Sequence, residues 1–405
     1  MKTLNNRNNY LKIIADYIAR EFKTIGTSYS ILLVMIGGVF VYGLLYNYMY
    51  QPNLIRKAPV VVADLSQSSL SREYVRLLSA SSQVEVYSHA NNILEAKELM
   101  KTREVVGIVY IPRDFERRVG RGDQSVFLAM VNTSAFLNFA AIQEATSGAM
   151  VELDGRHRSD MITFLPLPTL YAMSQAQPIN VVGTALFNHT EGYGSYLIPV
   201  VLILIIFQTL MMVIGMISGG ERYKKTILYY KKNGLGFGNM MAIVLSKTFV
   251  YSVLYAIFAY FLIGLLPQIF SIPNIGDTMD IITLLIPFFM ASCFFGFTCS
   301  LVYADSESPI LMIAFFSVGL VFLSGISYPL ELIPWYWKVF HYIIPAPPAV
   351  LGYVKVNSMG ASIADIKTEY ITLWIQCLVY FLTACFVYRY NIKKESAAIK
   401  EAANF

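Results

Sequence analysis

The chain has 405 residues, with 31 Lys+Arg against 26 Asp+Glu and a formal charge of +5. Its 56% hydrophobic and 14% charged content departs from the roughly 45–50% apolar and 25% charged usage of soluble domains, which argues against a lone soluble enzyme and for a surface lying largely in lipid. The composition is not uniform: Gln51 to Tyr193 holds 13 Lys/Arg and 14 Asp/Glu, while the other 262 residues hold only 18 and 12.

Near the N-terminus, Leu11, Ile14, Ile18, Phe22 and Ile25 follow one helical stripe, with Lys12, Arg20 and Lys23 off it. This predicts an amphipathic helix in residues 1–29, lying along the cytoplasmic membrane surface or packed on a neighbouring helix. A spanning helix needs ~20 predominantly apolar residues, because lipid leaves no partner for open backbone groups. Six segments qualify: Ser30 to Tyr50, Leu197 to Ser218, Met240 to Leu266, Ile281 to Tyr303, Ile310 to Ile326 and Tyr370 to Tyr388. The expected fold is a polytopic α-helical membrane protein with six transmembrane helices. The first run ends in Tyr46-Asn47-Tyr48-Met49-Tyr50 without a small-residue cleavage pattern, so it reads as a retained anchor.

Residues 51–193 alternate strand and helix and predict an inserted α/β extracytoplasmic domain between spans one and two. Strands are expected at Pro59 to Ala63, Val84 to Tyr87, Val105 to Ile111 and Val126 to Val131. Helices are expected at Leu70 to Ser79, Ile93 to Met100 and Asp114 to Val119. A long helix capped by Thr133 or Ser134 should then run to about Asp160, before Pro166 and Pro168.

Residues 194–389 form the expected five-helix domain, with a cytoplasmic loop at 219–238 and an outer broken-helix turn at 327–367, followed by a tail at 390–405. Fourteen Lys/Arg flank the spans on one face, from Lys2, Arg7, Lys12, Arg20 and Lys23, through Arg222, Lys224, Lys225, Lys231 and Lys232, to Arg389, Lys393, Lys394 and Lys400. That face is cytoplasmic by the positive-inside rule, so both termini are expected in the cytoplasm. In the loop, Tyr223, Ile227 and Tyr230 are spaced as an apolar stripe among five cations, which predicts a short amphipathic helix at the membrane surface. Gly215 and Gly219 form a small-xxx-small pair, a pattern that permits close helix approach and also arises by chance. Lys247, near the cytoplasmic end of span three, is expected to snorkel to water, with a substrate or pairing role as the alternative. Asp305 and Glu307 read as solvated turn carboxylates.

Several chemistries lack their residues. None of the seventeen lysines follows a glycine, so the chain carries no phosphate-binding P-loop of its own. The four histidines and four cysteines show no zinc-site spacing, all four cysteines lie in the apolar spans, and no Gly-x-Ser-x-Gly elbow occurs.

Three local patterns resemble one family. The loop Glu221-Arg222-Tyr223-Lys224-Lys225-Thr226-Ile227-Leu228 is similar to the ATPase-coupling segment of ABC exporter permeases of the type-2 class, which runs Glu-Arg-Glu-x-Gly-Thr. Glu221, Arg222 and Thr226 match; Tyr223 stands for the second Glu and Lys225 for Gly. In the outer domain, Asp64 and Ser66 after a strand, then Pro112, Asp114 and Phe115, with Gly122 before a strand, resemble the family's structural motif. The outer turn Ser324-Gly325, Pro329-Leu330-Glu331 and Pro334-Trp335 is similar to its re-entrant Pro-Leu-Glu-x-x-Pro-x-Trp turn.

The resemblance implies a non-enzymatic permease subunit of the bacterial inner membrane, with no cofactor of its own and ATP and Mg on a partner. Two ABC ATPase subunits and a second permease, in a homo- or heterodimer, would be partners, along with membrane lipid and no nucleic acid. The few charges inside the spans favour an amphiphilic or hydrophobic cargo. The outer domain is open to a periplasmic adaptor or to cargo. A surface receptor or scaffold of phage-infection-protein-like architecture, without transport activity, is the alternative.

Overall fold

The computed structural model describes residues 2–51, 56–102, 104–121, 123–131, 136–163, 187, 192–303 and 305–402. The chain falls into two compact units, Met1–Gln51 with Ala185–Phe405, and Pro52–Thr184.

In the first unit, helix α1 (Lys2–Thr27) is followed by α2 (Tyr29–Met49), the first helix long and apolar enough to cross a membrane. Among the described side chains of α1, Tyr17, Glu21 and Ile25 are buried, and Ile25 alone of these belongs to the expected stripe. Ile14 and Ile18 are half-buried while Leu11 and Phe22 are exposed. Packing has selected a face that carries a carboxylate, which a count of apolar positions could not choose.

The second unit is built on a four-stranded sheet of order β2-β1-β3-β4, with β1 (Ala58–Asp64) parallel to both β2 (Val84–His89) and β3 (Gly107–Ile111). The edge strand β4 (Leu128–Val131) runs antiparallel to β3. The strand Val60-Val61-Val62-Ala63 is apolar throughout because both sheet faces are covered. Val60 and Val62 face a core made with α3 (Ser69–Ala80), α5 (Phe115–Gly120) and α6 (Phe136–Thr163), filled by Tyr74, Leu78, Phe115, Ile142 and Leu153. Val61 and Ala63 face α4 (Ile93–Lys101) through Ala96. The suggested caps Thr133 and Ser134, and Gly122, Pro166 and Pro168, lie outside the described residues.

The first unit resumes with α7 (Tyr193–Tyr223), α8 (Phe237–Ile269, with a π-helical stretch at Tyr260–Leu265) and α9 (Thr278–Cys299). Then come α10 (Ser308–Leu323), α11 (Trp335–Ile343), α12 (Ala346–Met359) and α13 (Lys367–Ala402). Helix α7 is the hub: 78% of its most apolar stretch is buried, against 22% in α2 and 28% in α13. It packs on α2, α9, α10 and α12.

Among the described residues five helices, α2, α7, α8, α9 and α13, are long and apolar enough to span. The segment expected as a span over Ile310 to Ile326 forms only the 16-residue α10. At 1.5 Å per residue it covers about 24 Å, short of a hydrocarbon core of roughly 30 Å. It stops because Gly325 adopts φ +79°, outside the helical region.

Candidate coupling site at the basic end of the bundle

The last turn of α7 carries Gly219, Gly220, Glu221, Arg222 and Tyr223. The α-helix breaks where Lys225 takes a left-handed φ of +56°, and a 3₁₀ segment over Thr226–Asn233 follows. Ile227 and Tyr230 are buried as the apolar spacing implied, but Tyr223 is 75% exposed. The left-handed residue between them turns Tyr223 out of phase with the other two. Lys224, Lys225, Thr226, Lys231 and Lys232 are exposed, and Leu228 is half-buried.

Glu221 does not face outward with them. It is buried and meets Lys247 of α8, whose Nζ lies 2.9 Å from Glu221 Oε1 and 2.8 Å from Glu21 Oε2 of α1. The Lys247 side chain is 1% exposed, which overturns the snorkelling expectation. Two phenols complete the cluster: Tyr251 donates to Glu21 Oε1, and Tyr230 donates to Glu221 Oε1 at 3.1 Å. Lys247 also lies 5.5 Å from the Tyr230 ring centroid and 5.9 Å from that of Tyr388 in α13. An ion group this deep is tolerated only when paired and hydrogen-bonded, since removal of one partner from a buried pair costs about 3–5 kcal/mol. The triad therefore ties α1, α7 and α8 at one level, with Tyr388 of α13 beside it.

A second polar layer seats the 3₁₀ segment on α1. Tyr17 donates to Asn239 Oδ1 at 2.8 Å and accepts from Asn233 Nδ2 at 2.9 Å, while its ring meets that of Tyr230 edge-on at 5.1 Å. Asn239 Nδ2 donates to the carbonyls of Tyr230 and Gly234 at 2.9 and 2.8 Å. Tyr229 donates to Asp16 Oδ2 at 2.6 Å, and the Arg20 guanidinium lies 3.9 Å from the Tyr229 ring centroid. Asp16 beside it raises the Tyr229 phenol above its usual range.

Arg222 also turns inward. Its Nη1 donates to the carbonyls of Ser300, Leu301 and Tyr303 at 3.0, 3.0 and 2.8 Å, satisfying groups left open at the end of α9. The Gly215/Gly219 pair is used within the chain. A Cβ at Gly219 would stand 1.9 Å from the Asp305 carbonyl oxygen, and one at Gly215 would stand 2.5 Å from Pro309 Cβ. Asp305 is exposed and caps α10, accepting from the amides of Glu307 and Ser308 at 2.9 and 2.8 Å. Those bonds, Ser308 first, hold its carboxyl below the usual range.

The other matched residues lie elsewhere. In the turn after α10, Gly325 makes the left-handed bend, Pro329 precedes a 3₁₀ turn at Leu330–Leu332, and Pro334 precedes α11. Glu331 is exposed and its carbonyl accepts from Lys338 Nζ at 3.1 Å. Trp335 is 77% exposed beside exposed Tyr336 and Trp337. In the α/β unit, Asp64 Oδ1 accepts from the amides of Ser66 and Gln67, and its Oδ2 accepts from Ser71 Oγ at 2.7 Å. Ser66 Oγ donates to Ser68 Oγ, the cap of α3, at 2.9 Å. Pro112 leads into the α5 turn, Asp114 pairs with Arg118, and Phe115 is buried at 2%. These are turn and core roles.

The sequence held pairing of Lys247 only as the lesser alternative to snorkelling and did not mark Glu21. The available signal was three ionisable residues in otherwise apolar or amphipathic helices whose charges, two negative and one positive, demand one another. Among the described residues, no three His, Cys, Asp or Glu side chains gather as a metal site.

No curated protein matches the chain significantly. The model of the ABC-2 family transporter protein family matches residues 29–386, which take in α2, the α/β unit, the basic loop and all but the end of α13. The chain belongs to that family of ABC transporter membrane components.

Proposed function

We propose that this chain is the permease subunit of an ATP-driven exporter in a bacterial inner membrane. It works with two separate ABC ATPase subunits and a second permease, and moves an amphiphilic or hydrophobic cargo outward. The observation that carries this reading is the exposed basic 3₁₀ segment hydrogen-bonded over a buried ion triad. Tyr223, Lys224, Lys225, Lys231 and Lys232 offer a contact surface on the cytoplasmic face, and Glu221 and Arg222 anchor that surface to the bundle. Movement of a docked ATPase would pass through Tyr230 and Glu221 to Lys247, and so into α1, α7 and α8 together. ATP and Mg would be held by the ATPase, and the chain's own residues would convert its closure into helix motion.

The test is mild-detergent recovery of the chain from its native membrane, with mass spectrometry for P-loop ATPases, for wild type and for a Tyr223→Ala, Lys224→Glu, Lys225→Glu variant. Wild type should bring an ATPase down and the variant should not, at equal permease levels in the membrane. Recovery of wild type without any ATPase, in detergent that keeps a known exporter whole, would overturn the reading and favour a receptor or scaffold.

A further inference from the structure

We propose that the end of α13, beyond the family match, is a second element of the ATPase-docking surface and binds an acidic face of the ATPase subunit together with the 3₁₀ segment. The inference rests on the reading above and adds a partner-contacting element to it.

The match to the family ends at residue 386, but α13 continues as helix to Ala402. The first part of the continuation is packed, with Tyr388, Asn391 and Ile392 buried at 2%, 3% and 0% exposure, and residues from Lys393 to Lys400 are exposed or half-buried. Arg389, Lys393, Ser396 and Lys400 are spaced 4, 3 and 4, so they share one helical face. Ser396 on that face accepts a hydrogen bond through its Oγ from the Lys231 ammonium of the 3₁₀ segment at 2.5 Å. The stripe of Arg389, Lys393 and Lys400 is therefore continuous with the basic surface of Lys224, Lys225, Lys231 and Lys232.

None of these seven cations forms an ion pair among the described residues. Like charges collected on one face without counter-charges repel, and a complementary acidic surface removes that penalty. A protein fits the stripe better than lipid headgroups. At 1.5 Å per residue the stripe from Arg389 to Lys400 runs about 16 Å along the helix. The headgroup layer on one side of a bilayer is only roughly 5–8 Å deep.

The experiment compares the full-length chain with two variants, Arg389→Glu/Lys393→Glu/Lys400→Glu and the neutral Arg389→Gln/Lys393→Gln/Lys400→Gln. The readouts are the P-loop ATPase recovered per permease, permease level in the membrane, and binding of the purified permease to vesicles of phosphatidylglycerol and phosphatidylethanolamine. Charge reversal should lower ATPase recovery roughly tenfold, with the neutral variant between it and wild type and membrane levels unchanged. Unchanged ATPase recovery in the charge-reversed variant overturns the inference, including the case in which only vesicle binding falls. If the Tyr223/Lys224/Lys225 variant loses the ATPase while the α13 variants keep it, this inference fails and the permease reading stands. If wild type itself recovers no ATPase, the permease reading fails first.

Discussion

The two units handle charge in opposite ways. On the α/β unit, arginines and lysines stand three or four residues from a carboxylate on the same helix, as in Glu73 with Arg76, Glu98 with Lys101, Asp114 with Arg118, Glu152 with Arg156 and Asp154 with Arg158. These pairs are largely exposed, neutralise one another locally and contribute little to stability. In the helical bundle the charges are separated by depth. One ion triad is sealed inside it, while the lysines of its basic loop, Lys224, Lys225, Lys231 and Lys232, stand outside any ion pair among the described residues. A surface that balances its own charge carries little field, whereas one that leaves a single sign exposed attracts groups of the other sign.

The contrast breaks most sharply at Lys247. Lys247→Met strands two buried carboxylates, and the expected loss is about 3–5 kcal/mol, read as a fall in folded yield and thermal stability in detergent. Combining it with Glu21→Gln and Glu221→Gln should recover most of that stability, because no uncompensated charge remains. Retained stability in the single variant would show that the triad is not the tie described here. In the α/β unit, Phe115→Ala should cost a similar 3–4 kcal/mol, typical of deleting a buried aromatic ring. The loss should appear as selective proteolysis of that unit, with the bundle intact.

Gly219→Ala sharpens the packing side of the comparison. Its Cβ would meet backbone, which cannot move aside as a flexible side chain can, so destabilisation of about 1–3 kcal/mol is expected, measured as a drop in thermal stability. Asp64→Ala removes the turn that accepts three hydrogen bonds before α3. A loss of about 1–2 kcal/mol is expected, again confined to the α/β unit. The smallest effect belongs to the exposed pairs: Arg156→Ala should leave the unfolding midpoint unchanged within error.

Much of the fold was legible because its causes are local. The apolar run of β1 and the Asp64-Leu65-Ser66 turn before α3 set strand and helix through burial on both faces and backbone capping, whatever the rest of the chain does. The apolar stretches of α2, α7, α8, α9 and α13 were equally plain, since lipid and a buried bundle both demand long uninterrupted helices. The length of α10 was not, because its end depends on the left-handed backbone at Gly325. In the basic loop, residue types marked the site, yet the direction of each side chain depended on the single αL turn at Lys225, which sends Tyr223 out and leaves Glu221 and Arg222 turned in.

The sequence by itself determined a membrane-embedded helical protein with an inserted α/β unit and a basic loop, because hydropathy and short-range spacing are properties of neighbouring residues. Only the tertiary structure decided that Glu21, Glu221 and Lys247 form one buried group. They are separated by 200 residues between Glu21 and Glu221 and by 26 between Glu221 and Lys247, and no local rule pairs charges across such distances. Their meeting is fixed by the packing of α1 on α8 and of α8 on α7, where the low-dielectric interior makes each charge depend on the others.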